Sequence, residues 1–264
     1  MNLGLQGKLA VVSGSTAGIG LAIATALAVE GATVVVNGRT EARVAEALEK
    51  IRNRVSGANL RGVAADLGTA TGVDAFLKQA PDADVLINNL GIFDPKPFLE
   101  IPDTEWLRFF EVNVLSGVRL ARKYLPGMLK KNWGRVIFIS SESAQNIPAE
   151  MVHYGMTKTA QVAIARGLAQ SVAGTGVTVN SVLVGPTDSE GVGTFLESLA
   201  QQQNIAKADV EKMFFERARP GSLLKRFETP DEVAAVVAFV ASTQALVING
   251  AAVRAEGGVI QSIF

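Results

Sequence analysis

Seven short runs rich in Val, Ile and Leu, separated by stretches of helical periodicity, constrain this 264-residue chain more than any other feature. The runs cover residues 8–13, 32–37, 60–65, 84–88, 135–141, 177–183 and 251–255. Continuous β-branched segments of this length read as strands buried on both faces. Between them the spacing predicts helices ending near 29 and 55, then helices over 70–79, 104–131 and 154–173. Asp103 or Thr104 is the expected cap of the long one, with Pro126 and Gly127 loosening its end. Another helix starts with Thr229 as cap and Pro230 at its first position. Strand and helix alternate without repeats, low-complexity tracts or a linker. The expectation is one α/β domain over 1–264, a doubly wound, seven-stranded, mostly parallel sheet with helices on both faces. Residues 188–220 break the pattern with Ser, Glu, a Gln run and Met213-Phe214-Phe215, as a lid over a site would.

Composition removes several function classes. Lys and Arg number 25, Asp and Glu 25, and no dense basic stretch offers a nucleic acid or an anionic membrane a footprint. With no cysteine there is no disulfide, thiolate nucleophile or Cys metal site, and the single histidine, His153, cannot build a His cluster. No run approaches a membrane span or a signal peptide, so the expectation is a cytoplasmic protein.

The first run passes into Gly14-Ser15-Thr16-Ala17-Gly18-Ile19-Gly20 and then a helix. Strand, glycine turn and helix present backbone N–H groups to a phosphate at the helix N-terminus. The structural alternative is a tight turn and nothing more. At the end of the second run, where an acidic residue would bind a ribose 2′-hydroxyl, stand Asn37, Gly38 and Arg39. Arg39 suits a 2′-phosphate, which favours NADP(H) over NAD(H); the alternative is a solvated loop arginine.

Ser141 ends the fifth run, and Tyr154 and Lys158 stand four apart on the following helix, so they share a face. A phenol is too weak a base near neutrality unless a neighbouring cation favours the phenolate. Hydroxyl, phenol and ammonium together suit proton transfer to or from a carbonyl or alcohol oxygen. Tyr and Lys at this spacing also recur by chance. Asn88, Ser141 and Gly185 all fall at carboxyl ends of strands, where open α/β sheets hold ligands.

With these motifs in order, the chain resembles the short-chain dehydrogenase/reductase family along nearly its whole length. The likeness implies a Rossmann-type domain and an NAD(P)(H)-dependent oxidoreductase interconverting carbonyl and alcohol. Asn113, Ser141, Tyr154 and Lys158 fall where that family keeps its catalytic tetrad: Tyr the general acid or base, Lys lowering its pKa and holding the nicotinamide ribose, Ser placing the carbonyl, Asn anchoring a water. The implied cofactor contacts are Gly14, Ser15, Thr16, Gly18, Ile19, Gly20, Arg39, Asp66 beside adenine, Leu67, Asn89, Gly91, Gly185 and Thr187, with Tyr154 and Lys158. Asn88-Asn89-Leu90-Gly91 resembles the segment that steadies the central sheet, and Asn180 with Gly185 the stretch near the nicotinamide. Three positions depart from the pattern: Ser13 for Thr, Leu90 for Ala, and Val184 for the Pro before Gly185.

Resemblance also implies a homotetramer built through helices 104–131 and 154–174 and the C-terminal segment. The small face of Ala160, Ala163, Ile164 and Gly167 and the tail 261–264 suit such docking. Candidate substrate contacts are Phe93, Gln145 and Met151, with Met213, Phe214 and Phe215 from the lid, around a largely apolar pocket for a small carbonyl or alcohol. His153 is expected to be structural or rim-facing. The competing readings are an NAD-dependent dehydrogenase with the same tetrad and a non-catalytic dinucleotide sensor.

Overall fold

In the computed structural model, which describes residues 2–263 apart from 191, 194–196, 198–199 and 201–205, the apolar runs form one sheet. Its strands are β1 (Leu9–Val12), β2 (Thr33–Gly38), β3 (Leu60–Ala64), β4 (Val85–Asn88), β5 (Gly134–Ser141), β6 (Val177–Val184) and β7 (Ala252–Ala255). The order is β3-β2-β1-β4-β5-β6-β7 and every pairing is parallel, so no antiparallel edge interrupts the sheet.

Side chains alternate along each strand and supply two separate cores. Ala10, Val12, Val34, Val36, Val85 and Ile87 pack against α1 (Gly18–Val29), α2 (Glu41–Arg54) and α8 (Pro230–Ala241). Val11, Val35, Leu86 and Val136 face α3 (Ala70–Gln79), α5 (Ser116–Lys131) and α6 (Val152–Ser171). Residues such as Leu27, Ile51, Phe76 and Leu86 are fully buried, each contributing about 1.5–3 kcal/mol. Thr229 closes a capping box with Glu232 at the start of α8, as the Thr-Pro-Asp-Glu run predicts.

The helix expected over 104–131 is three pieces. Helix α4 (Asp103–Phe110) passes through a π-helical turn, Glu111–Leu115, into α5. Its N-cap is Pro102, with no side-chain bond, so neither Asp103 nor Thr104 is the cap. Pro126 lies inside α5, which continues to Lys131 and closes at Asn132 in the left-handed conformation. A π turn carries one extra residue and releases a backbone group from the helical ladder. Here the Asn113 carbonyl accepts from Gln161 Nε2 at 2.6 Å.

The chain winds outward from β1 to β3 and then returns to continue from β4 to β7. The reversal opens a crevice at the carboxyl ends of β1 and β4. Segment 188–220 contains α7 (Lys207–Met213) and a second π turn, Phe214–Ala218. No helix among the described residues is long and apolar enough to cross a membrane.

Candidate active site

Gly14 (φ +60°) and Gly18 (φ +52°) adopt the left-handed conformation that glycine accepts without strain. A β-carbon at Gly20 would come within 2.4 Å of the Gly14 carbonyl, so the turn closes only without a side chain there. Ala17, the N-cap of α1, has no capping side chain, which leaves the first N–H groups of the helix for an outside acceptor. Asn89 Nδ2 donates to the carbonyls of Ser13 and Gly14 at 3.0 and 2.9 Å. Ser13 Oγ accepts the N–H groups of Asn89 and Leu90 at 2.9 and 3.0 Å, so serine here does the tying for which a hydroxyl is needed. Ser15 Oγ donates to the Val12 carbonyl and accepts from the Asn37 N–H, a structural role.

On the β2 side, Asn37 is buried and its amide bonds the Gly14 N–H and the Val63 and Ala65 carbonyls. It is part of the frame. Arg39 is exposed and makes no ion pair or hydrogen bond among the described residues. The exposed Asp66 carboxylate accepts the Gly68 N–H at 3.0 Å, whereas the Leu67 side chain lies in the core. Arg43 forks onto Glu190 at 2.9 and 3.3 Å, joining α2 to the start of the 188–220 segment.

A cavity of about 560 Å³ opens at the crevice. Asn89, Gly91 and Phe93 after β4, Ser141 at the end of β5, Tyr154 and Lys158 on α6, and Gly185 and Thr187 after β6 all line it. Met213 and Phe214 supply its far wall and Met151 its rim near α6. Ser141 Oγ accepts the Ser143 N–H at 3.1 Å, and its hydroxyl stands near enough to the Tyr154 phenol to favour the phenolate. Lys158 Nζ donates to the Ile139 carbonyl at 3.0 Å and stands 5.5 Å from the centre of the Tyr154 ring.

Desolvation governs the charges of this group. Burial pushes the Tyr154 phenol up to about 12; the Ser141 hydroxyl opposes it, Glu142 adds to it and Arg219 opposes it. Burial also brings the Lys158 ammonium down to about 8. Lys158 is not among the groups that shift the phenol, so the expected depression of the tyrosine by lysine does not appear, and the phenol rests as the acid.

Asn113 lies beside this cluster but outside the cavity lining. Its Oδ1 accepts the Ile92 N–H at 2.7 Å, while Nδ2 donates to the Ile92 carbonyl and Thr157 Oγ1, each at 3.0 Å. Together with the Gln161 contact to its carbonyl, this fixes the loop after β4 onto α6. Gln145 is a correction: it is exposed and does not line the cavity, because the helical turn Glu142–Ala144 directs it outward. Phe215 is buried behind Phe214, against Phe227. His153 is fully buried between Trp106 and Phe109, with both ring nitrogens unpartnered, and takes the structural place expected of it.

Among the wall residues that sequence reasoning did not single out are two opposite charges. Glu142 and Arg219 form a buried ion pair at 2.7 Å, and both border the cavity. A charge directly after an apolar strand is the signal that could have flagged Glu142; Arg219 follows a patternless stretch and gave none.

Residues 8–199 match the family model described as short chain dehydrogenase. Bacillus subtilis YvaG, described as an uncharacterized oxidoreductase, is 48% identical over the whole of both chains. D-beta-hydroxybutyrate dehydrogenase of Cupriavidus necator is 34% identical over 96% of this chain and 98% of its own. The L-sorbose reductase of Gluconobacter frateurii, solved with NADPH and L-sorbose, superimposes with a TM-score of 0.92 at 31% identity over all of both chains. The fold and crevice define a dinucleotide-using oxidoreductase that acts on CH–OH and C=O groups. The chain belongs to the short-chain dehydrogenase/reductase family.

Proposed function

We propose that this protein is an NADP(H)-linked reductase of small carbonyl compounds with Tyr154 as the proton donor. The observation that carries the reading is the meeting of the Ser141 hydroxyl, the Tyr154 phenol and Lys158 on one wall of the cavity. The residues suit a dinucleotide: Gly20 leaves no space for a side chain, the N-terminus of α1 has no capping side chain, and Arg39, beyond β2, has no ion pair among the described residues. Gly14, Thr16, Gly18, Ile19 and Gly20 would hold its phosphates over the frame that Ser15 braces, Arg39 a 2′-phosphate, Asp66 and the Leu67 backbone its adenine, and Asn89, Gly91, Gly185 and Thr187 its nicotinamide half. When bound there, a reduced nicotinamide would supply the hydride that reaches the substrate carbon.

The chain's own residues handle the proton and the geometry. Ser141, its lone pair occupied by the Ser143 N–H, has a hydroxyl hydrogen to offer the substrate oxygen. Tyr154, held neutral by burial, donates its proton to that oxygen as negative charge develops. Lys158, already brought to about 8, follows the phenol's charge and can return a proton to it. Asn113 keeps the loop after β4 in register with α6. Phe93, Met151, Met213 and Phe214 exclude water, with segment 188–220 as a lid.

L-sorbose reductase, similar over its full length, makes polyhydroxylated ketones the first compounds to test. A homotetramer is part of this reading, since Ala163 and Gly167 on α6 and Ile263 in the tail are exposed; Phe264 lies outside the described residues. NADPH oxidation against a panel of ketones and hydroxyketones tests the proposal, with Tyr154→Phe as control. Turnover should fall about 10²–10⁴-fold in the variant while cofactor still binds. Unchanged turnover on an identified substrate contradicts it.

A further inference from the structure

The loop after β6 brings Gly185 and Thr187 to the cavity with Val184, not proline, ahead of them. Glu228 braces it from behind. Its N–H donates to the Pro186 carbonyl at 2.9 Å and its carbonyl accepts the Asp188 N–H at 2.8 Å, a short parallel bridge around Thr187. The side chain turns beneath the same loop. A β-carbon on Gly185 would meet Glu228 Oε1 at 2.6 Å and one on Gly257 at 3.4 Å, so the carboxyl fills the space these glycines leave. The Gly185 N–H, bonded to the Ala255 carbonyl at 3.1 Å, lies close enough to the carboxyl to favour its ionised form. Glu228 is 6% exposed, and Oε2 is buried without a partner.

Among the described residues the neighbouring cations are already paired, and Arg226 only partly offsets the burial of the carboxyl. Arg226 forks onto Glu232 at 2.7 and 2.9 Å, and Arg254 is held by Glu256 at 2.8 Å. Glu211 of α7, which accepts the Phe227 N–H, and Asp188 are the remaining charged neighbours on the surrounding segments. A carboxyl buried among carboxylates, its nearest cations already paired, has its neutral form favoured.

We propose that Glu228 is a positioning residue for the cofactor loop: protonated, it packs under Gly185 and holds the loop closed on the dinucleotide; ionised, it loosens the loop and weakens cofactor binding. This rests on the dinucleotide reading above. Burial pushes the carboxyl up to about 7, the Gly185 N–H opposing and Glu256 reinforcing, so both forms are populated near neutrality. Cofactor affinity therefore falls as pH rises through that range.

The test is NADPH titration of the wild type, Glu228→Gln and Glu228→Ala between pH 6 and 8.5, with cooperative melting checked for each. Wild-type affinity should fall roughly fivefold or more across a midpoint near the Glu228 transition. Glu228→Gln keeps the shape and cannot ionise, so it should hold the wild type's low-pH affinity throughout; the titration of the 2′-phosphate is common to both proteins and cancels. Glu228→Ala, if folded, should bind weakly at every pH. A Glu228→Gln curve superimposable on the wild type's overturns this proposal alone. A folded wild type that binds neither NADPH nor NADH overturns the dinucleotide reading with it.

Discussion

Arg219 Nε donates to Glu142 Oε1 at 2.7 Å, joining the end of segment 188–220 to the residue that follows Ser141. Both side chains are buried, and Ser143 Oγ donates to the same carboxylate oxygen at 3.1 Å. The end of segment 188–220 is therefore tied to the end of β5. Removing one partner of a buried pair strands the other and costs about 3–5 kcal/mol. Arg219→Met should lower stability to urea by about that amount and raise KM more than it lowers kcat. A variant with wild-type stability and KM would make the pair incidental.

Arg39 stands where a ribose phosphate would be read and has no competing partner among the described residues. Arg39→Ala should weaken NADPH binding at least about tenfold, roughly 1.4 kcal/mol, and leave NADH binding unchanged. Equal losses for both cofactors would make Arg39 a general loop contact.

Asn113 satisfies both backbone groups of Ile92. Asn113→Ala leaves a half-buried donor and acceptor unmet, at up to about 1–3 kcal/mol each. Chemical denaturation should show a loss of about 2–4 kcal/mol, with kcat reduced because α6 and the loop after β4 separate. Full stability with full activity would remove Asn113 from the account.

Much of this was legible beforehand because it rests on local rules. The β-branched runs, the Thr229 cap and the glycine turn each needed only their own neighbours, and all formed as the sequence predicts. Tyr154 and Lys158 share a helix face for the same reason. The π turn at Asn113 was hidden, since a single extra residue within a helix leaves the apolar spacing almost intact. Gln145 looked like a pocket residue because it lies between Ser141 and Tyr154, but a short helical turn decides its direction. Glu142–Arg219 and Glu228–Gly185 join residues 77 and 43 apart, and only packing brings them together.

His153 provides a pH test of the fold. Burial lowers its pKa beneath the usual 6.5, with Glu105 and Asp94 opposing and Lys96 assisting. The unfolded chain then binds the proton more readily, so stability is full above the unfolded value and is lost as pH falls below it toward the folded value. His153→Phe should flatten the melting temperature between pH 7 and 5.5 relative to the wild type. An unchanged acid slope would assign that loss to other groups.

The central claim is that the crevice above β1 and β4 binds NADP(H). Side-by-side titration of the wild-type protein with NADPH and NADH at fixed salt tests it most directly. The account predicts tight NADPH and at least about tenfold weaker NADH. Binding of neither cofactor by a folded protein would contradict it.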